Sequence, residues 1–322
     1  MHRAAGLAAP LMIGEQSVFR ALRTSESDIV IADFKMKFPL FILLLGIFSE
    51  CSSSPAANNW ATIKQSVQIG DSAQSIGSYT AGCLSGAVSL PQNGPGYQLM
   101  RPTRNRSYGH PDLIRFIESI AKTTHSRHWG VLLIGDLGQP RGGPTPSGHR
   151  SHQSGLDVDI WYLLSQQAAN RSLTFNERET WSAPSVLAAQ SDAIDDRQWS
   201  SAHEKILEMA AGKPEVDRIF VNPSVKRLLC RRKSDHSWLK KIRPWWGHDD
   251  HFHVRLKCPL NNQNCTAQEP LPESDGCDAS LAWWFSEEAK TPAPTAKKPE
   301  PPVLPALCDV ILNATKSGLY HP

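Results

Sequence analysis

Two tracts constrain this chain more than any other feature: GHRSHQSGLDVDIW at 148–161 and WWGHDDHFHVRL at 245–256. Each ends in a strand-like run that alternates polar donors with apolar anchors. In an extended strand, successive side chains point to opposite faces. Asp157 and Asp159 therefore share one face of the first run, and Val158 and Ile160 share the other. In the second, His251, His253 and Arg255 share a face, with Phe252, Val254 and Leu256 behind. His152 lies on the loop before the first run, with Ser154-Gly155 providing a cheap turn between it and Asp157. If the two runs are neighbours in one sheet, His152, a carboxylate and His253 can converge on a single ion. Two histidines and one carboxylate leave the fourth tetrahedral position open for water, which is how catalytic zinc is held. His251 would stand beside that water. Geometry leaves Asp157 and Asp159 as equal candidates.

Neither HxH nor HxxxxDxD is specific alone, since surface histidines are common. Together the tracts hold five of the chain's twelve histidines, each fused to a run of suitable polarity. That combination is a strong signal for a metal site.

The remaining sequence supplies a scaffold. HPDLIRFIESIAKTTH places Leu113, Phe116, Ile117 and Ile120 at helical spacing behind an early Asp, which predicts an amphipathic helix. GVLLIGD at 130–136 reads as a buried strand, and QPRGGPTPSG at 139–148 as a loop leading into the first tract. A helix near 202–212, a strand at 218–221 and a helix opening on Pro223 follow. Residues 58–109 look loop-rich. From Thr291, TPAPTAKKPEPPVLP has six prolines in fifteen residues and predicts an extended strap. The expected fold is α+β: a single domain over 58–287 with a central antiparallel sheet, flanking helices and long loops, and a proline-rich strap at 288–322.

Export is written near the start. From Met36, a lysine precedes an apolar run from Phe38 to Phe48, and small residues follow at Pro55-Ala56-Ala57. The run is short of the ~20 residues a bilayer-spanning helix needs, so 36–57 is expected to be a secretory signal, without stable membrane insertion. Residues 1–35 are charged and mixed, which marks them as a mis-assigned start. Glu50 before Cys51 disfavours a lipid anchor. If Cys51 leaves with the signal, six cysteines remain, an even number that favours disulfides in an exported chain. A net charge of +3, without a basic cluster interleaved with aromatics, excludes nucleic acid as a partner.

The two tracts resemble those of penicillin-insensitive murein endopeptidases, within the wider group of zinc peptidases that includes lysostaphin-like enzymes and D-alanyl-D-alanine peptidases. The likeness extends through IFVNPSVKRLLC at 219–230 and the six-cysteine pattern to the strap. The group motif, HxxxxxxD followed by HxH, falls on His152 with Asp159 and on His251-Phe252-His253. The resemblance implies one zinc per chain on His152, Asp159 and His253. It further implies His251 and His248 as catalytic groups and His149 as an additional ligand, and it selects Asp159 over Asp157. A second zinc is not expected, because LAAQSDAIDDRQW at 187–199 lacks the histidine that some members place there. The resemblance also implies disulfides Cys83–Cys308, Cys230–Cys277 and Cys258–Cys265.

The expected chemistry is amide hydrolysis of the D-alanyl–diaminopimelyl cross-bridges of peptidoglycan in the periplasm. No acylated serine is required, so β-lactams should not inhibit. Asp157 either orients a ligand histidine or a loop amide, as supporting carboxylates commonly do, or is a solvated loop-edge residue. The rival readings are a zinc D,D-carboxypeptidase and a zinc-containing wall-binding module without turnover. A glycosidase using Asp157 and Asp159 is disfavoured, because carboxylates side by side on one strand face cannot flank a glycosidic bond.

Overall fold

The alternation in the two tracts is realised in adjacent strands of a seven-stranded sheet. The structure, a computed structural model, describes residues 55–146, 150–231, 235–291 and 302–315. Its strands are β1 Gln74–Ser78, β2 Ala81–Ser85, β3 Val88–Ser89, β4 Asn93–Gly94, β5 Tyr97–Leu99, β6 Tyr108–Gly109, β7 Leu132–Ile134, β8 Asp157–Trp161, β9 Val216–Val221, β10 Ile242–Pro244 and β11 His251–Leu256. The helices are α1 Pro55–Thr62, α2 Pro111–Ser126, α3 Gln166–Asn170, α4 Phe175–Thr180, α5 Ser201–Ala211, α6 Pro223–Cys230, α7 Ala279–Trp283, α8 Glu287–Lys290 and α9 Ala306–Asn313. The large sheet runs β10-β9-β11-β8-β7-β5-β4, while β1 pairs with β2 and β3 with β6.

The fold is mixed α+β, and the sheet is not the antiparallel one expected. Its centre is antiparallel, with β11 between β8 and β9 and β7 beside β8. On the flanks, β5 runs parallel to β7 and β9 parallel to β10. The chain passes through α2 between the first pair and through α6 between the second. A helical crossover returns the chain in the direction it left, so parallel pairing follows. Apolar–polar alternation carries no information about strand direction.

Helix α2 begins where its sequence allows: Pro111 occupies the first turn, and His110 Nδ1 accepts from the Asp112 N–H at 3.2 Å. Its stripe of Leu113, Phe116, Ile117 and Ile120 joins Val158, Ile160 and Val254 in the main core. Fully burying each such side chain contributes ~1.5–3 kcal/mol. This core fixes the backs of β8 and β11, and so fixes which way their polar faces point.

The strap also departs from expectation. Past Pro305 the chain turns into α9, whose Cys308 and Ile311 are buried with Trp60, Ile76 and Cys83. The eight residues of α9 contain no proline, so nothing there prevents helix formation. Cys308 bonds to Cys83; Cys230–Cys277 and Cys258–Cys265 complete three disulfides, the pairs implied by the resemblance. The segment 58–109, expected as loop, holds most of α1 and the short strands β1 to β6. Residues 1–54, where a mis-assigned start and most of a signal are expected, lie outside the described residues, and 55–57 begin α1. Among the described residues, no helix is long and apolar enough to cross a membrane.

Candidate metal centre

Register brings the two tracts together. In the β8–β11 pair, His253 stands opposite Asp159 and Arg255 opposite Asp157. Directly opposed residues share a face, so the polar halves of both strands meet. His152 enters from the preceding loop with φ +69°, carried by a turn at Gly155 with φ +73°. A Cβ at Gly155 would sit 2.3 Å from Leu84 Cδ2, so this close approach requires glycine.

Asp159 Oδ1 is the hub. It lies 3.1 Å from His253 Nδ1, 3.4 Å from His152 Nε2 and 3.7 Å from His251 Nε2. Ligand atoms of His152, Asp159 and His253 all fall within 4.8 Å of one another, and all three residues are buried. Tetrahedral ligands on ~2.0–2.1 Å bonds are about 3.4 Å apart, so the donor set fits one small divalent ion.

The surrounding hydrogen bonds aim lone pairs at this centre. His253 Nε2 donates to Asp157 Oδ1 at 2.6 Å, because a carboxylate can only accept; this leaves the Nδ1 lone pair facing Asp159. His251 Nδ1 donates to Asp250 Oδ1 at 2.5 Å, leaving its Nε2 lone pair toward the cluster. His248 Nδ1 donates to the Trp246 carbonyl at 2.9 Å, which leaves its Nε2 lone pair available. Its ring is 4.9 Å from that of His251 and 6.0 Å from that of His253.

Charge also favours a cation here. Burial alone would raise the Asp159 carboxyl, but His152 and His251 hold it well below the usual carboxylate range. Asp157 is likewise held down against its burial, first by Arg255 and then by His253. Burial works against a charge on His253, yet its bonds to Asp157 and Asp159 raise its proton affinity. His251 is raised against burial by Asp159 and then by Asp250. His248 goes the other way: burial, then the charge of His251, push it down to about 4. Two buried carboxylates thus create a negative potential that protons or a divalent cation can satisfy.

Asp157 is not a solvated edge residue: it has no exposed surface and bonds both His253 and Arg255 Nε, the latter at 2.7 Å. His149 lies outside the described residues. A second group, His236, Asp275 and Cys277, has metal-like spacing, but Cys277 is in a disulfide and offers no thiolate. Sequence reasoning missed three members of the site. Asp250 clamps His251 and could have been suspected from the HDDH run. Phe220 packs edge-on against His253 at 5.4 Å, and Tyr79 stacks under Arg255 at 3.6 Å. Both come from distant segments without a local signal. Tyr79, Arg150, Phe220, Trp245, His248 and His253 line an open cleft of about 560 Å³ above the cluster.

A family model described as penicillin-insensitive murein endopeptidase matches residues 75–313. A protein of that name from Klebsiella pneumoniae subsp. pneumoniae is 42% identical over 273 residues, covering 84% of this chain and 97% of the relative. The Haemophilus influenzae protein is 40% identical over 277 residues, covering 85% of this chain and 94% of its own length. One from Yersinia pestis is 41% identical over 261 residues, covering 80% and 91%.

Proposed function

Because the chain belongs to the penicillin-insensitive murein endopeptidase family, we propose that it is a zinc-dependent enzyme hydrolysing the D-alanyl–diaminopimelyl cross-bridges of peptidoglycan. The chain is a murein endopeptidase of a metallopeptidase family. One observation carries the zinc assignment: His152, Asp159 and His253 converge, with the Nδ1 lone pair of His253 turned inward by Asp157.

These three residues would hold the ion. When bound, zinc supplies Lewis-acid polarisation of water and of an amide carbonyl. The remaining steps belong to the chain's own groups. His251, fixed by Asp250, takes the proton of the attacking water at Nε2 and delivers it to the departing amine. His248, neutral at physiological pH, offers its Nε2 to the peptide lying in the cleft. Asp157 holds His253 in its tautomer, and Arg255 holds Asp157. The β-lactam insensitivity named in the family fits chemistry carried by imidazoles and carboxylates, which requires no acylated serine. His149 is assigned, from the family motif alone, as an additional ligand or supporting group.

Three disulfides suit an oxidising compartment, so the place of action is the periplasm, with 36–57 as the export signal. Residues 58–287 are assigned as the peptidase domain and 288–322 as a proline-rich C-terminal strap, whose helix α9 packs with Trp60, Ile76 and Cys83.

The test is product analysis by mass spectrometry. Cross-linked muropeptide dimers should be cut to monomers, and uncross-linked pentapeptides should not lose D-alanine. A chelator should stop the reaction, zinc should restore it, and penicillin should leave it unchanged. Trimming of pentapeptides with dimers intact would make the protein a carboxypeptidase, and zinc binding without turnover would make it a wall-binding module.

A further inference from the structure

The polar sheet face continues past the metal cluster. Beside β11, strand β9 places Phe220 opposite His253 and Arg218 opposite Arg255. Beside β9, strand β10 places Arg243 opposite Phe220. Adjacent strands are ~4.8 Å apart, so Arg243 stands two strands, about 10 Å, from His253. There Arg218, Arg243, Gly276, Trp245 and Trp284 line a hollow of about 240 Å³. It shares Phe220, Trp245 and Gln268 with the cleft over the cluster, so the two are continuous.

The cations around the hollow differ in how they are paired. Arg218 is buried and engaged, with Nε on Asp217 at 2.6 Å and Nη2 on the Glu269 carbonyl at 2.7 Å. Lys226 Nζ is satisfied by neutral acceptors, the carbonyls of Leu239 and Asp275. Arg243 is half-buried, and no hydrogen bond or ion pair among the described residues holds its guanidinium. Arg218 repels it and Asp278 attracts it electrostatically, while the exposed Asp278 carboxylate accepts from the Ser280 N–H at 2.9 Å and makes no hydrogen bond to it. Gly276, whose φ of +69° favours glycine, lies beside both groups: a Cβ there would be in ordinary contact with Arg243 Nη1 at 3.5 Å and Lys226 Nζ at 3.6 Å. Trp245 and Trp284, with ring centroids 6.3 Å apart, wall the hollow with apolar surface. Arg218 already holds Asp217, so Arg243 is the guanidinium there with donors left for an incoming anion.

We propose that this hollow is a subsite for a carboxylate of the peptide stem remote from the scissile bond, gripped by Arg243 with Arg218 behind it. The proposal rests on the murein endopeptidase reading for its ligand class. In the cross-linked peptide the free diaminopimelyl carboxylate lies beside the cleaved amide, while a D-glutamyl residue joined through its γ-carboxyl keeps an α-carboxylate several bonds farther along the stem, and that is the remote anion this hollow would hold. Arginine suits such a group because its fork binds a carboxylate in a bidentate manner. The neighbouring tryptophans would cover the methylenes of the same residue.

The test is equilibrium binding of disaccharide–tetrapeptide with free carboxylates, and of the same stem amidated, to the zinc-loaded protein. The parent should prefer the free stem by about 10- to 100-fold, the range for a hydrogen bond to a charged group. Arg243→Gln should bring that ratio close to one, and Arg243→Lys should keep part of it. Ser280→Asp, at an exposed position on the rim, should also erase the preference by supplying a competing carboxylate without touching the core. Equal binding of both stems by the parent, or full preference in both Arg243→Gln and Ser280→Asp, would overturn the subsite. Dimer hydrolysis by the parent is scored separately. Cleavage without carboxylate preference removes only the subsite; preference without cleavage removes only the assigned activity.

Discussion

Asp157 Oδ1 accepts from His253 Nε2 at 2.6 Å, and the same imidazole presents Nδ1 to Asp159 at 3.1 Å. One ring thus links a carboxylate that orients it to one that shares its ligand position. Losing such an orienting partner typically costs 10- to 100-fold in metal affinity. Asp157→Ala should therefore weaken zinc binding by about that factor, read by competition with a chromogenic chelator. Asp157→Asn, which can still accept from Nε2, should recover part of the loss. Unchanged zinc affinity in Asp157→Ala would remove Asp157 from its orienting role.

The ligand and proton-transfer roles separate by substitution. His152→Ala or His253→Ala should lose zinc and activity together, since each removes one of the three converging donors. His251→Ala should keep stoichiometric zinc and lose rate by ~10²–10⁴-fold, the usual contribution of a positioned acid–base group. Metal analysis and turnover on the same preparations decide the matter. Full turnover with bound zinc in His253→Ala would falsify the assignment.

The site was legible in the sequence where its chemistry and its anchoring share one strand. β8 and β11 each alternate donors with core residues, so the facing of Asp157, Asp159, His251 and His253 follows from period-two geometry. The choice of Asp159 as ligand came from the family motif; the register that sets it opposite His253 is a tertiary fact. An orienting role for Asp157 is legible in the sequence, but its choice of His253 depends on an imidazole rotamer, and Phe220 and Tyr79 arrive from other segments without a local trace. The parallel flanks of the sheet were hidden because alternation is the same in either direction. Helix α9 was hidden because the proline run before it dominates the composition, while its burial depends on a disulfide 225 residues away in sequence.

That disulfide leads to a stability prediction. Arg141 Nη1 donates to the carbonyls of Ile311, Leu312 and Ala314 at 2.7, 2.8 and 2.9 Å, and the Arg141 carbonyl accepts from the Leu84 N–H. The end of α9 is therefore tied to the loop that runs toward His152. Removing a native disulfide typically costs about 2–5 kcal/mol. Cys83→Ser with Cys308→Ser should lower stability by that order in denaturant unfolding. Arg141→Ala should cost about 1–3 kcal/mol by leaving buried carbonyls unsatisfied. If both variants unfold at the parental midpoint, α9 is a peripheral appendage.

Lys226 gives the fold a pH dependence on the alkaline side. Its side chain has no exposed surface and sits under Arg243, with Asp275 and Asp278 as the nearby acids. Burial first, and then the like charge of Arg243, push its pKa down to about 8. In the unfolded chain the ammonium titrates near its ordinary value of about 10.4. Between these values the unfolded state binds more protons than the folded one, so unfolding free energy rises with pH. Below about 8 both states carry the charge and the contribution is flat at its lowest level. Parental stability measured against Lys226→Met should therefore climb from pH 8 toward 10, with a slope of at most about 1.4 kcal/mol per pH unit. The difference between the two proteins cancels the other titrating groups, including Lys241, which burial also depresses. Chemical denaturation at pH 7, 8, 9 and 9.5 reads it, and a level difference across that series would mean that the folded protein keeps the Lys226 proton as firmly as the unfolded chain does.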